Sequence, residues 1–121
     1  MARTAFSGPI GVGKGSTPTV TQATNRSTGV TLNASSGHIT TNATSLAAGA
    51  EATFVVTTSF VTATSVPVIA LASGSTAATS VAVVSAVADG SFSITLTNLN
   101  AATADTGAGV INFIVFNGAT A

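Results

Sequence analysis

The chain has 121 residues and a mass of 11.6 kDa, room for one compact domain. Three basic and three acidic side chains give a formal net charge of +0 and a charged fraction of 5%, against about 25% in an ordinary soluble domain. That excludes a polyelectrolyte tail and the broad basic face with which nucleic-acid binders neutralise phosphates, while an apolar content of 45% and a mean hydropathy of +0.61 exclude charge-driven disorder.

Met1 to Thr24 reads as an extended arm. Gly8, Gly11, Gly13 and Gly15 with Pro9 and Pro18 favour no regular element, and Phe6, Ile10 and Val12 are too few to form a core. All three bases (Arg3, Lys14, Arg26) lie in the first 26 residues and all three acids (Glu51, Asp89, Asp105) beyond them. An arm of one sign and a body of the other can associate head to tail between copies. Gly8 to Ser16 has some features of a phosphate-binding loop, but Gly15 stands where that loop needs Ser or Thr after the lysine, and no strand precedes it. No apolar run near the start is long enough for a secretion signal, so synthesis in a cytoplasm is expected. No stretch approaches the roughly 18 apolar residues of a membrane span.

From residue 25 to residue 121 the period is 2, the pattern of strands. Thr28–Leu32 and His38–Thr41 are expected to pair as a hairpin across Asn33–Gly37. Leu46–Gly49 turns the chain into Glu51–Thr57, where Ala52, Phe54 and Val56 alternate with Thr53, Val55 and Thr57. Val66–Ala72 is apolar on both faces and reads as a central strand, with Pro67 near its start. Asp89-Gly90 predicts a two-residue type I′ hairpin, with Val87 facing Phe92, Ser85 facing Ile94 and Val83 facing Leu96. Val110–Phe116 closes the chain, apolar on both faces except at Asn112. The sum is an all-β fold, a β-sandwich or jelly-roll-like barrel of about seven antiparallel strands, preceded by the arm. Two strands apolar on both faces imply stacked layers or an interface between subunits.

Chemistry has little to stand on. Cysteine is absent, which excludes disulfides and thiolate metal sites. His38 is the only imidazole; a Ser/His/Asp arrangement would need it to meet Asp89 or Asp105 beside a nucleophile elbow, and no Gly-x-Ser-x-Gly is present. Three scattered acids offer neither a metal cluster nor a pair of glycosidase carboxylates. Asn25-Arg26-Ser27, Asn33-Ala34-Ser35 and Asn42-Ala43-Thr44 match the glycosylation acceptor pattern as chance predicts in a chain this rich in Ser and Thr. No catalytic residue, cofactor or metal is expected. About three residues in ten are Ser or Thr and nearly a fifth are Ala, so the surface is neutral and hydroxyl-covered, with little colloidal repulsion. Such a surface suits a protein packed against copies of itself or a larger partner.

Three stretches carry a likeness: Arg26-Ser27-Thr28-Gly29-Val30-Thr31-Leu32-Asn33 leading to Gly37-His38-Ile39-Thr40; Leu46-Ala47-Ala48-Gly49-Ala50-Glu51-Ala52-Thr53-Phe54-Val55-Val56; and Gly90 to Leu99 followed by Ile111-Asn112-Phe113-Ile114-Val115. In them the body resembles the small virion proteins of tailed bacteriophages that decorate or cement the capsid, and related β-domains of phage fibres. The resemblance implies a β-rich structural protein of the virion exterior, trimeric or seated on shell symmetry axes and bound to the major capsid protein. The arm lies outside it. On physical grounds the arm staples a neighbouring subunit through Arg3, Phe6, Ile10 and Lys14. The other reading is a fibre or tail-tip domain that binds a cell-surface glycan or receptor, although Trp and Tyr are absent and Phe54, Phe92 and Phe113 are expected in the core.

Overall fold

Alternation along a strand gives it one face for the core and one for water, and the computed structural model, which describes residues 18–117, has strands as its only regular elements. They are β1 (Thr19–Thr21), β2 (Val30–Thr31), β3 (Ser36–Thr40), β4 (Glu51–Thr57), β5 (Val66–Ser73), β6 (Ser80–Ala88), β7 (Ser91–Asn98) and β8 (Val110–Phe116). Two four-stranded sheets result, in the orders β1-β3-β8-β5 and β2-β4-β7-β6. Ile39, Ile111, Phe113 and Val115 of the first sheet share one core with Phe54, Val56, Phe92, Ile94 and Leu96 of the second. Phe92 and Phe113 meet across the layers with ring centroids 5.7 Å apart and planes tilted by 58°, a favourable aromatic geometry. The layering is that of a β-sandwich, and among the described residues there is no helix.

Several expectations need correction. There are eight strands, not about seven, and pairing is mixed: β1 runs parallel to β3 and β2 parallel to β4. The extra strand, β1, lies inside the segment read as an arm; residues 1–17 of that segment fall outside the described residues. Thr28–Leu32 and His38–Thr41 do not form a hairpin, because β2 and β3 belong to different sheets. The turn between them is held by the segment after β4 instead. Leu32 N–H donates to Thr57 O (3.0 Å), Thr58 Oγ1 to Ala34 O (3.1 Å) and Ser59 N–H to Asn33 Oδ1 (3.1 Å).

The β6–β7 hairpin keeps its predicted register only near the turn. Ala88 pairs with Ser91, Val87 with Phe92 and Ala86 with Ser93; then a bulge at Ser85 shifts the ladder, so that Val84 pairs with Ile94 and Ala82 with Leu96. In the unshifted register the Ser85 hydroxyl would face the core, where an unpaired polar group is costly. The bulge expels it to the outer face, where it accepts a hydrogen bond from Thr95 Oγ1 (2.8 Å). The turn is also not type I′, which needs positive φ at both central residues: Gly90 has φ +81°, but among the described non-glycine residues only Ala78 is positive. Asp89 is occupied by Ala63, whose N–H donates to its Oδ1 (2.8 Å), while Gly90 N–H donates to Val61 O (2.8 Å).

The reading of Val66–Ala72 as a central strand fails too. β5 is the edge of the first sheet and β8 lies inside it, between β3 and β5. Pro67 is thus at an edge, where its missing N–H is tolerated.

Candidate association surface

Because β5 ends the first sheet and β6 ends the second, and both are joined by residues 74–79, they stand together along one side of the sandwich. Eight large apolar side chains are exposed among the described residues, and six of them lie on or beside these two edge strands, divided between the outer faces of the two sheets: Val66, Val68 and Phe116 on the first, Val81 and Val83 on the second, and Leu99 just past β7. Register explains the grouping. Val66 pairs with Phe116 and Val68 with Ile114 on the outer face of the first sheet, whereas Val81 and Val83 point outward from the second, the latter because the bulge moves it off the core. Leu99 N–H donates to Thr79 O (2.8 Å), which sets Leu99 beside the start of β6. At that end an open cleft of about 360 Å³ is lined by Leu71, Ala72, residues 73–80, Val81 and Leu99. Residues 66–88 contain no ionisable side chain. Exposed apolar side chains beside two uncharged sheet edges are a mark of interaction surfaces in other proteins.

The cleft is held in shape by a buried ion pair that the sequence pattern did not single out. Asp105, fully buried, lies ahead of β8, and Arg26, 3% exposed, lies between β1 and β2. Their nearest charged atoms, Arg26 Nη2 and Asp105 Oδ1, are 3.6 Å apart. Arg26 Nε donates to Thr44 O (2.5 Å) and Nη2 to Gly107 O (2.8 Å) and Asp105 O (3.1 Å). Asp105 Oδ1 accepts from Thr76 N–H (2.8 Å) and Gly107 N–H (3.0 Å), and Oδ2 from Ser80 Oγ (2.6 Å). Burial alone would push this carboxyl up; the Ser80 hydroxyl, the two backbone N–H groups and the guanidinium outweigh it and lower it from 3.8 to about 2. Thr76 and Ser80 belong to the β5–β6 connection and the first residue of β6, so the pair fixes one end of the apolar side. The neighbouring backbones are equally close: a methyl group on Gly107 would lie 2.0 Å from Gly74 O.

The other expected residues are dispersed. Arg3, Phe6, Ile10 and Lys14 lie outside the described residues. His38 sits on the outer face of the first sheet with Nδ1 against Asn112 Oδ1. Glu51 is exposed at the start of β4, where Thr97 Oγ1 approaches its Oε1 at 3.5 Å. Among the described residues no three His, Cys, Asp or Glu side chains converge as metal ligands. Phe54, Phe92 and Phe113 are in the core as expected, at 1%, 1% and 4% exposure, while Phe60 and Phe116 are half exposed. Compared with models of known families, with curated proteins and with solved structures, the chain has no match.

Proposed function

We propose that this chain is a structural protein of a phage virion that decorates the capsid exterior and cements it by bridging neighbouring major capsid subunits, without catalysing a reaction or holding a cofactor or metal. The observation that supports the reading is that six exposed apolar side chains lie on or beside the two uncharged edge strands, β5 and β6. Apolar surface left exposed beside sheet edges is a frequent mark of a site that a partner covers. A neutral, hydroxyl-rich skin on the remaining faces removes the charge repulsion that would oppose dense packing of copies on a shell.

The test is binding to intact particles. The full-length protein, added to capsids that lack it, is expected to co-sediment with them at saturating stoichiometry and to raise their resistance to heat and low salt. Val68→Asp and Val83→Asp, at half-exposed positions that leave the core intact, should fold normally and fail to co-sediment. Binding to a glycan array with no affinity for particles would replace this reading with the fibre or tail-tip one.

A further inference from the structure

The edge of the sandwich best able to take another strand is that of β6, and we infer that it pairs with the same edge of a second copy. Residues 80–84 of the two chains run antiparallel about a two-fold axis at Ala82, which joins two β2-β4-β7-β6 sheets into one of eight strands. The contact needs no particle and stands or falls separately from the capsid reading.

Two open sheets have four edges, and an edge strand presents backbone N–H and C=O groups without partners. Three of these edges carry features that discourage pairing. β1 has three residues and β2 has two. β5 lacks a donor at Pro67, and its ladder shifts between Leu71 and Ser73. β6, by contrast, has nine residues with neither proline nor charge. Among the described residues it pairs with β7 alone, and no other backbone hydrogen bond reaches residues 80–88. Its one protection is the bulge at Ser85, which leaves residues 80–84 regular. The flank is open on the inner side too. Ala82 and Val84 pack against the core yet stay partly exposed, whereas their partners on β7, Leu96 and Ile94, are 0% exposed.

A strand of the same kind fits this edge. With the axis at Ala82, Val81 stands opposite the partner's Val83, and Val83 opposite the partner's Val81. Four β-branched side chains, 41% and 49% exposed in the single chain, thus form cross-strand pairs on one outer face. On the inner face Ala82 meets the partner's Ala82 and Val84 meets the partner's Ser80, which covers the open flank. Five paired residues supply about four to six backbone hydrogen bonds, a sizeable part of the roughly 10 in a typical interface. Neither strand carries a charge that would oppose the approach. Since β6 is the edge fit to pair, copies meet β6 to β6, and such a two-fold contact closes at two.

The chain's own ends match this edge less well. Residues 8–15 never place two residues other than Gly or Pro side by side, a composition depleted in strands. Met1 to Ser7 would bring the charge of Arg3 to an edge strand that has no acid. Residues 118–121 follow Phe116, which pairs with Val66 at the far end of β5 from the turn into β6. Four residues reach at most about 14 Å, short of the roughly 23 Å along β5.

The test uses the full-length chain. Its mass by light scattering over a dilution series is expected to show a dimer that dissociates to monomers and never exceeds two copies. Val83→Lys sets a charge among the four valines and should weaken dimerisation at least tenfold, with the circular dichroism spectrum unchanged. Geometry is tested with cysteine, which the chain lacks. Opposed Cα atoms of an antiparallel pair lie about 4.5–5.5 Å apart, within the roughly 4.4–6.8 Å that a disulfide spans. Ala82→Cys should therefore oxidise to a covalent dimer at least tenfold faster than Val55→Cys, which is exposed on β4 away from this edge. A monomeric unaltered chain overturns the inference, and is the result expected if the chain's own residues cover β6. Growth beyond two copies, a Val83→Lys dimer of unchanged strength, or equal oxidation of the two cysteine variants overturns it as well. A dimer that ignores capsids leaves this inference standing and removes the capsid reading; a monomer that binds them does the reverse.

Discussion

Replacing Asp105 by Ala removes the counter-charge of a guanidinium that is 3% exposed. It also removes the acceptor for Thr76 N–H, Gly107 N–H and Ser80 Oγ. Breaking one half of a buried ion pair costs about 3–5 kcal/mol, because the remaining charge stays in the interior unpaired. Against a total stability of about 5–15 kcal/mol for a domain of this kind, that is a large fraction. The assay is urea unfolding followed by circular dichroism. With a slope near 1.5 kcal/mol/M, the midpoint should fall by about 2–3 M. Asp105→Asn, which retains an acceptor for the two backbone N–H groups but not the charge, should lose less. The double replacement Arg26→Met with Asp105→Ala removes both charges and should recover at least about 1 kcal/mol relative to the sum of the single losses. Single losses below about 0.5 kcal/mol, or strict additivity, would refute the assignment of this pair as the element that fixes the β5–β6 connection.

The same carboxyl sets a pH dependence. Its folded value, about 2, lies below the ordinary 3.8, so its contribution is fully present above the unfolded value and is lost as pH falls from about 4 through 2. The contribution is on the order of 2 kcal/mol; urea midpoints at pH 6 and pH 2.5 should converge in Asp105→Asn more than in the unaltered chain. Phe92→Ala, which empties a site that is 1% exposed beside Phe113, should lose about 3–5 kcal/mol, whereas Val83→Ala, half exposed on the outer face, should change unfolding by less than about 0.5 kcal/mol. Ala78→Gly relieves a left-handed backbone, φ 58°, and should raise the melting temperature by about 4 °C, read by scanning calorimetry. A chain starting at Pro18 keeps all eight described strands and should still unfold in one cooperative transition. One starting at Asn25 also loses β1 and the buried Gln22, whose Nε2 donates to Arg26 O (3.0 Å) and Thr28 O (2.8 Å), and should melt several degrees lower.

Strands were legible where one face was apolar and the other was not. Phe92, Ile94 and Leu96 against Ser93, Thr95 and Thr97 state both the element and its buried face, and in β7 the inward row departs from apolarity only at Asn98. Sheet membership was not legible, because a period of 2 is silent about neighbours: β2 and β3 lie four residues apart in the chain, yet the bonds of residues 32–34 go to the segment after β4. Arg26 and Asp105 were hidden for a related reason. They are 79 positions apart, each in a turn-rich segment where a charged side chain ordinarily meets water, and only the folded chain brings them together. The error about β5 bears most on function. A strand apolar on both faces has two physical outcomes: it is enclosed between layers, or one face waits for a partner. The sequence could express only the apolarity, and the first outcome is the natural expectation in an isolated domain. The structure places β5 at an edge with Val66 at 58% and Val68 at 48% exposure, and β6 beside it exposes Val81 and Val83 in the same way. The apolarity of Val66–Ala72 therefore marks, at Val66 and Val68, surface that the folded domain leaves exposed.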